Sequence, residues 1–228
     1  MKITIEDINL GFLTDDVELV TMNDGRNYVW PKYDHETRDY LNRYDNSPDK
    51  IASYVEHRGV IVQAGGNCGY YVKKFAEMFD TVYTFEPDPL NFLCLTINTS
   101  SHKNVYRYQA CVGDQHQLVS MAALGDQCGA MHIGKESGLV PTLTIDDLNL
   151  HGCDLIQLDT EGFEYYGLLG AKHTIDKYHP IICIEWYNEW ADRYKVKYDM
   201  ITQLFTEWQY KQVGKDGSDK IFKYSPGV

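Results

Sequence analysis

Short apolar runs alternate with helix-period segments from residue 59 onward, and each run ends in a turn signal. The first run, 59–64, is β-branched and apolar on both faces, as expected of a central strand in a parallel sheet. Further strands are predicted at 81–85, 104–111, 154–158 and 180–186. Helices are predicted after residue 70, over 90–97, from about 162 to 175 and over 198–208. This alternation predicts βαβ units and a parallel sheet.

The last two apolar runs, 210–213 and 220–224, are joined by only six residues that are rich in Gly and Asp. So short a link fits a hairpin and cannot carry a parallel crossover. We therefore predict an α/β fold with a seven-stranded, mostly parallel sheet and a C-terminal antiparallel hairpin. Residues 113–141, with five Gly and mixed polarity, are expected to form a hairpin or loop insertion.

Residues 1–58 do not follow this alternation. They are expected to form a small N-terminal cap over one end of the sheet, with a short helix at 48–57, whereas 59–228 form the main domain of one compact unit. The cap is rich in aromatic residues, namely Tyr28, Trp30, Tyr33, Tyr40 and Tyr44. We expect most tyrosines to serve amphipathic packing, and stacking of the cap aromatics on a sugar is the alternative.

Composition narrows the function classes. The formal net charge of −12 disfavours nucleic-acid binding, which needs clustered Lys and Arg. Six cysteines without a CxxC pair disfavour a zinc ribbon and favour reduced thiols. Acidic residues interrupt the first 16 positions, and no apolar stretch approaches the ~18–20 residues of a membrane span. We expect a soluble, cytoplasmic protein that binds neither nucleic acid nor membrane.

A glycine turn follows the first strand, with Gly65, Asn67 and Gly69. Such a turn lets a ligand approach the backbone at the start of a helix. Glu86, 21 positions after Gly65, ends the second strand, where a carboxylate can accept both hydroxyls of a ribose. The same spacing also occurs in NAD-binding proteins, but the turn lacks the GxGxxG motif that binds a pyrophosphate. Its absence favours S-adenosylmethionine, because that cofactor has no phosphate.

Four blocks of the sequence resemble, in order, the FkbM family of methyltransferases. They are 60–69, 84–98, 140–148 and 155–171, with Phe85-Glu86-Pro87 and the DxEGxE run from Asp159 to Glu164 as the most distinctive elements. The resemblance, which covers about 58–187, implies a class I methyltransferase (Rossmann-like) fold and use of S-adenosylmethionine. It also implies a small-molecule hydroxyl as acceptor, often on a carbohydrate.

Two positions depart from the family, which usually has Asp at Gln63 and Lys at Gln157. A glutamine can hydrogen-bond the cofactor but cannot offset its ammonium charge. The alternative to an O-methyltransferase is therefore a catalytically weakened methyltransferase fold kept as a binding or assembly module. A dehydrogenase ranks third because the phosphate-binding turn is missing.

The predicted site follows from these elements. The expected cofactor-binding residues are Gln63, Gly65, Asn67, Gly69, Glu86, Cys111 and Asp159. Asp159, Glu161 and His132 are the candidate general bases. The alternative is that Asp159 caps the following helix and that Glu161 and Glu164 lie in its first turn, where the helix dipole favours them. A plain buried thiol is the alternative for Cys111. A metal site formed by Asp159 and Glu161 is the less favoured alternative, and we expect no metal.

Overall fold

A computed structural model describes residues 15–44, 46–123, 127–134, 136 and 138–227 of the chain. The strands are β1 (Val17–Thr21), β2 (Asn27–Pro31), β3 (Val60–Ala64), β4 (Thr81–Phe85), β5 (Val105–Tyr108), β6 (Cys111–Val112), β7 (Leu118–Val119), β8 (Met121–Ala123), β9 (Met131–Ile133), β10 (Val140–Leu143), β11 (Leu155–Leu158), β12 (Ile181–Glu185), β13 (Tyr210–Asp216) and β14 (Asp219–Tyr224). The helices are α1 (Glu36–Arg43), α2 (Ser47–Ala52), α3 (Tyr70–Met78), α4 (Pro89–Asn98), α5 (Glu164–Leu169), α6 (Lys172–Tyr178), α7 (Asn188–Ala191) and α8 (Tyr198–Glu207).

The central sheet has seven strands in the order β13-β14-β12-β11-β3-β4-β5. The predicted seven strands and C-terminal hairpin are confirmed, but the sheet is mixed rather than mostly parallel. Four neighbouring pairs, from β5 to β12, are parallel, whereas β14 is antiparallel to both β12 and β13. The reason is the link from β13 to β14, because two residues, Gly217 and Ser218, can join only antiparallel neighbours.

Helices cover both faces of this sheet. Alternate residues of β3 point to opposite sides, so that Ile61 packs with Phe75 and Leu95 of α3 and α4. Val62 instead lies in the core that contains Ile175 of α6. A central strand buried on both faces must be apolar throughout, which is the pattern that the sequence displays.

The strand order reverses at β3, whose neighbours are β4 on one side and β11 on the other. At such a point the loops that follow the two central strands diverge and open a crevice at the carboxyl ends. The register pairs Ala64 with both Phe85 and Leu158. Gly65, Glu86 and Asp159, which each follow one of these residues, therefore lie along one edge of the sheet.

Two predicted elements are divided in the structure. The strand predicted at 104–111 becomes β5 and β6, and β6 leaves the central sheet to pair with β10. Because β4 ends at Phe85, opposite Tyr108, the chain beyond Tyr108 has no neighbour in the central sheet. The helix predicted up to 175 becomes α5 and α6, separated at Gly170, which packs against the backbone of Gly113.

The N-terminal segment forms a hairpin of β1 and β2 followed by α1 and α2. The Asn98 side chain of α4 holds the hairpin through both backbone groups of Val29, at 2.7 and 2.9 Å. The short helix predicted at 48–57 is confined to Ser47–Ala52. Residues 1–14 of the predicted cap lie outside the described residues, and the division at residue 58 stays a prediction.

Two general properties complete the description. Within the described ranges, no helix combines the length and apolar character needed to cross a membrane. The six cysteines are buried, and none is paired in a disulfide.

Candidate active site

A cavity of about 550 Å³ opens at the carboxyl ends of β3, β4, β11 and β12. This volume lies within the roughly 300–1,000 Å³ of small-molecule sites. Residues of α1 and of the β8–β9 hairpin complete its wall. The cavity therefore occupies the crevice that the strand order creates.

The turn after β3 forms the floor of the cavity through Gly65, Gly66 and Asn67. Gly65 has a φ of +88°, and a Cβ at this position would overlap the backbone carbonyl oxygen of Asp159. Its N–H and that of Gly66 donate to the carbonyl of Phe85 at 3.0 and 2.8 Å. The absence of a side chain here lets the ends of β3 and β11 approach each other closely. Gly65 therefore sets the spacing between the loops that follow these two strands.

Glu86 reaches the cavity from the end of β4 and is 4% exposed. One carboxyl oxygen accepts the N–H of Asn67 at 2.6 Å, and the other accepts the N–H of Asp88 at 2.9 Å. Burial raises the pKa of Glu86 to about 8, although these backbone donors act in the opposite direction. The side chain is thus fixed to the glycine turn, and each oxygen retains a lone pair for a ligand.

The other predicted cofactor residues differ in position. Gln63 does not line the cavity: its amide nitrogen donates to the carbonyl of Gly65 at 2.9 Å and its oxygen accepts from Thr84 at 2.6 Å. Gly69 lies outside the cavity wall as well, and it allows close packing of α3 on Leu95. Cys111 does line the cavity, and burial raises the pKa of its thiol to about 12.

Gln157, the second departure from the family pattern, is also absent from the cavity wall. It pairs with Gln63 in the register of β11 and β3, and its side-chain oxygen is buried without a hydrogen-bond partner among the described residues. Both departures therefore lie behind the wall, where they affect the support of the turn rather than a direct ligand contact.

Three carboxylates converge at the ends of β11 and β12. One oxygen from each of Asp159, Glu161 and Glu185 lies within 4.8 Å of the other two. Burial raises the pKa of Asp159, which a hydrogen bond with Glu185 partly counteracts. Burial and the charge of Asp159 raise the pKa of Glu161 to about 9 and that of Glu185 well above its ordinary value.

Glu164 belongs to the same sequence run but has a different role. It is 1% exposed, does not line the cavity, and accepts from the backbone N–H groups of Thr160 and Gly162 at 2.8 and 3.2 Å. Its carboxylate thus ties down the loop before α5, and Glu164 itself lies in the first turn of that helix, where the helix dipole favours an acidic residue. The loop also holds Glu161 at a positive φ of 58°, an uncommon conformation for a residue with a side chain.

Two acidic residues of this site are not among those predicted from the sequence. Glu185 is the last residue of β12, and Asp219 begins β14 directly opposite it in the register. Both line the cavity, and burial raises the pKa of Asp219 to about 8. The available signal was a carboxylate at the carboxyl end of a strand adjacent to β11, the same position that singled out Asp159.

His132, the third candidate base, lies on β9 and lines the cavity. Burial lowers the pKa of its imidazole, which favours the neutral form. The aromatic side chains of the cap divide into two groups. Tyr40 and Tyr44 line the cavity, whereas Tyr28, Trp30 and Tyr33 are absent from its wall. Tyr28 and Trp30 are fully buried, and Tyr33 is exposed. The alternative of stacking by the cap aromatics therefore fails for Tyr28 and Trp30.

The family described as "Methyltransferase FkbM domain" matches residues 60–211 of the chain. No curated protein matches the sequence. Among solved structures, FkbM methyltransferase of Methylobacillus flagellatus KT is 16% identical, with a TM-score of 0.48 over 86% of this chain and 56% of its own. Trm5b of Pyrococcus abyssi is 10% identical, with a TM-score of 0.51 over 91% of this chain and 54% of its own.

The similarity to Trm5b bears on the fold alone, because the identity is low. The present chain spans little more than half the length of either protein. The family match covers the glycine turn, Glu86 and the three convergent carboxylates. The resemblance found in the sequence is thereby confirmed.

Proposed function

The chain belongs to the FkbM family of methyltransferases, and we propose that it transfers the methyl group of S-adenosylmethionine to a hydroxyl oxygen of a small molecule. The observation that carries this proposal is the placement of Glu86. Its buried carboxyl group is fixed to the glycine turn by the N–H of Asn67 and faces the cavity at the point where the strand order reverses.

The described residues at this end fit a nucleoside. The two oxygens of Glu86 have lone pairs left for the two hydroxyls of a ribose, and Gly65 and Gly66 leave the floor beside it without side chains. Cys111 adds a soft apolar surface to the wall on which an adenine ring can rest. These residues would hold the cofactor without a phosphate-binding turn.

The other end of the cavity supplies the proton acceptor. S-adenosylmethionine, when bound, provides a methyl group already activated by the positively charged sulfur. The protein must then hold the acceptor oxygen in line with that methyl group, an effect that can contribute ~7–11 kcal/mol to lowering the barrier. Asp159 and Glu161 line the cavity, and the raised pKa values of their carboxyl groups suit removal of the hydroxyl proton.

The acceptor is proposed to be small and neutral or cationic. Acidic side chains dominate the charge of the chain, whose net value is −12, and this disfavours a nucleic-acid acceptor. Tyr40, Tyr44, Tyr187 and Trp190 line the outer wall of the cavity. Such aromatic faces pack against the apolar face of a sugar ring, which makes a carbohydrate the first acceptor class to test.

Cofactor binding is tested first. Isothermal titration of S-adenosylhomocysteine into the wild-type protein should give binding that Glu86→Ala weakens by about 100-fold, since the change removes both carboxyl oxygens that would accept from the ribose hydroxyls. Glu207→Ala, on the exposed face of α8, is the matched control and should bind as the wild type does. Equal affinities for the wild type and Glu86→Ala would remove the basis of the assignment.

Turnover is tested separately with labelled S-adenosylmethionine and a panel of hydroxyl and amine acceptors that includes monosaccharides. We expect the label to move to a hydroxyl compound, and product mass spectrometry should identify an O-methyl group. Transfer to amines alone would overturn the oxygen assignment. Tight binding of S-adenosylhomocysteine with no transfer to any acceptor would instead support the weakened binding module.

A further inference from the structure

The carboxylate cluster formed by Asp159, Glu161 and Glu185 has the composition of a cation site. We propose that these three residues bind a hard divalent cation of the Mg²⁺, Mn²⁺ or Ca²⁺ class at the acceptor end of the cavity. One oxygen of each lies within 4.8 Å of the others. Oxygen ligands of these ions lie about 2.0–2.6 Å from the metal, so two opposite ligands are about 4–5 Å apart.

No basic side chain of the described residues neutralises this cluster. Among the described residues, no Lys, Arg or His nitrogen lies within 4.0 Å of a carboxylate oxygen of the three. Arg193 is nearby, but it donates to the backbone carbonyl of Glu161 at 3.5 Å. Asp219 places a further carboxyl group beside Glu185. Such crowding favours a bound cation, because buried charges require a partner.

A second and independent observation is the orphaned oxygen of Glu161. The residue is 7% exposed, and its Oε2 atom has no hydrogen-bond partner within the described part of the chain. Buried acceptors are nearly always satisfied, and an unsatisfied one costs about 1–3 kcal/mol. Glu164, three residues away, satisfies its Oε1 atom with three donors. The orphaned oxygen therefore indicates that a ligand belongs in front of Glu161.

The fold fixes the three carboxylates before any ion binds. Asp159 and Glu185 stand at the carboxyl ends of adjacent parallel strands, and the Asp159 N–H donates to the carbonyl of Ala64 at 3.0 Å. Ser218 donates to Glu185 Oε1 at 3.0 Å. Two ligands are thus held by the sheet, and the third comes from the loop that Glu164 ties down. The sequence predicts no metal, and the metal site considered there as the alternative comprises Asp159 and Glu161 without Glu185.

Oxygen-only ligands select hard ions over Zn²⁺ or Cu²⁺. Three carboxylates leave coordination positions open, and all three residues line the cavity. The open positions would bind the acceptor. This role of the metal, unlike metal binding itself, rests on the proposed function. A hydroxyl bound to a divalent cation loses its proton more readily, so the preferred acceptors are vicinal diols or hydroxyls beside a carbonyl.

The test measures binding of Mn²⁺ alone to the whole chain, without cofactor or acceptor. Free Mn²⁺ gives an electron paramagnetic resonance signal that falls as the ion binds. We expect saturable binding of one ion per chain, displaced by Mg²⁺ or Ca²⁺. Glu185→Gln and Glu161→Gln should each weaken it at least tenfold. Glu36→Gln, a matched change at an exposed residue of the same cavity wall, should leave it unchanged within twofold.

Each outcome decides the proposal. A free Mn²⁺ signal that the wild-type protein does not reduce would overturn it, as would equal binding by all four proteins. Melting curves of each variant without metal confirm that it is folded. Titration of S-adenosylhomocysteine on the same samples is a separate measurement. Metal binding without cofactor binding would refute the proposed function alone, and cofactor binding without metal binding would refute this inference alone.

Discussion

The two ends of the cavity use the same side-chain chemistry in opposite ways. At one end, both oxygens of Glu86 are bonded to backbone N–H groups of the chain itself. At the other, Asp159, Glu161 and Glu185 face one another, and one oxygen of Glu161 has no hydrogen-bond partner among the residues that the structure describes. Both ends are at the edge of one sheet, only one strand apart. The difference between them is therefore in the loops and not in the fold.

This contrast shows how one crevice can perform two tasks. A carboxyl group held by backbone donors is rigid and suits recognition of neutral hydroxyls. A cluster of carboxylates that face one another is electrostatically strained, so it gains from a cation or a proton and suits chemistry. Perturbed groups in a cleft are typical of functional sites. The predictions below test this contrast, beginning with the residue that joins the two ends.

Gly65 sets the distance between the two ends, and its replacement should have the largest effect. In Gly65→Ala the new Cβ would overlap the carbonyl oxygen of Asp159, and the φ of +88° would be strained as well. We expect a loss of about 4 kcal/mol in the free energy of unfolding, measured by urea denaturation. The overlap forces the ends of β3 and β11 apart, so we expect this loss of stability whether or not a ligand is bound.

Gly25→Ala is the matched control, because Gly25 also has a positive φ, +75°, but no atom lies within 4 Å of the added Cβ. It should lose only about 1 kcal/mol, the cost of the backbone conformation. Similar losses in the two variants would show that strand separation is not what makes Gly65 necessary.

The second largest effect compares two glutamates three residues apart. Glu164→Ala removes the acceptor of three hydrogen bonds and leaves the N–H groups of Thr160 and Gly162 unsatisfied. We expect it to lower the free energy of unfolding by about 3 kcal/mol. Glu161→Ala removes a carboxylate that has an orphaned oxygen and acidic neighbours, so in the presence of a chelator stability should stay the same or rise. Equal losses in urea denaturation would contradict the contrast.

The sequence predicted the parts of the fold that depend on local pattern. The apolar run of β3, the glycine turn and Glu86 all follow from residues close together in the chain. The short link at Gly217 predicted the hairpin for the same reason. The mixed character of the sheet and the division at Tyr108 depend instead on which strands lie side by side, which local periodicity does not encode.

The candidate site divides in the same way. Asp159 could be predicted because its run is distinctive, but Glu185 comes from a strand 26 positions later and joins it only through the pairing of β11 with β12. Gln63 is a predicted cofactor residue because the family usually has Asp at this position, two residues before Gly65, where a carboxylate orients the glycine turn and the cofactor. The strand alternates sides, and the Gln63 amide turns inward to Thr84 instead. Sequence distance predicted the loop but not the direction of its side chains.

The next smaller effect is a pH dependence that Glu86 introduces. Burial raises its pKa from 4.5 to about 8, so between these values the folded protein holds a proton that the unfolded chain releases. Stability contributed by this group is therefore greatest at low pH and falls as the pH rises to about 8. Glu86→Gln removes this titration. Between pH 5 and 7 the wild type should lose about 2 kcal/mol more than this variant.

Urea denaturation at several pH values, in a chelator, measures this difference. Only the slopes are compared, so a constant change in stability from the lost hydrogen bond cancels. The exposed Glu207→Gln should keep the wild-type slope. Parallel slopes for the wild type and Glu86→Gln would show that the backbone donors of Asn67 and Asp88 already compensate the burial of the carboxyl group.

The smallest effect concerns His132, which lines the cavity but belongs neither to the Glu86 end nor to the cluster of three carboxylates. If the carboxylate end removes the acceptor proton, His132→Ala loses only a wall contact, and kcat/KM should fall less than tenfold. A general base contributes about 10²–10⁴-fold, so a fall in that range would move the proton transfer to the β8–β9 hairpin. His132→Asn keeps a polar side chain of similar size but cannot take up a proton near neutral pH. Because it restores the wall contact alone, recovery by His132→Asn would leave the chemistry with the carboxylates.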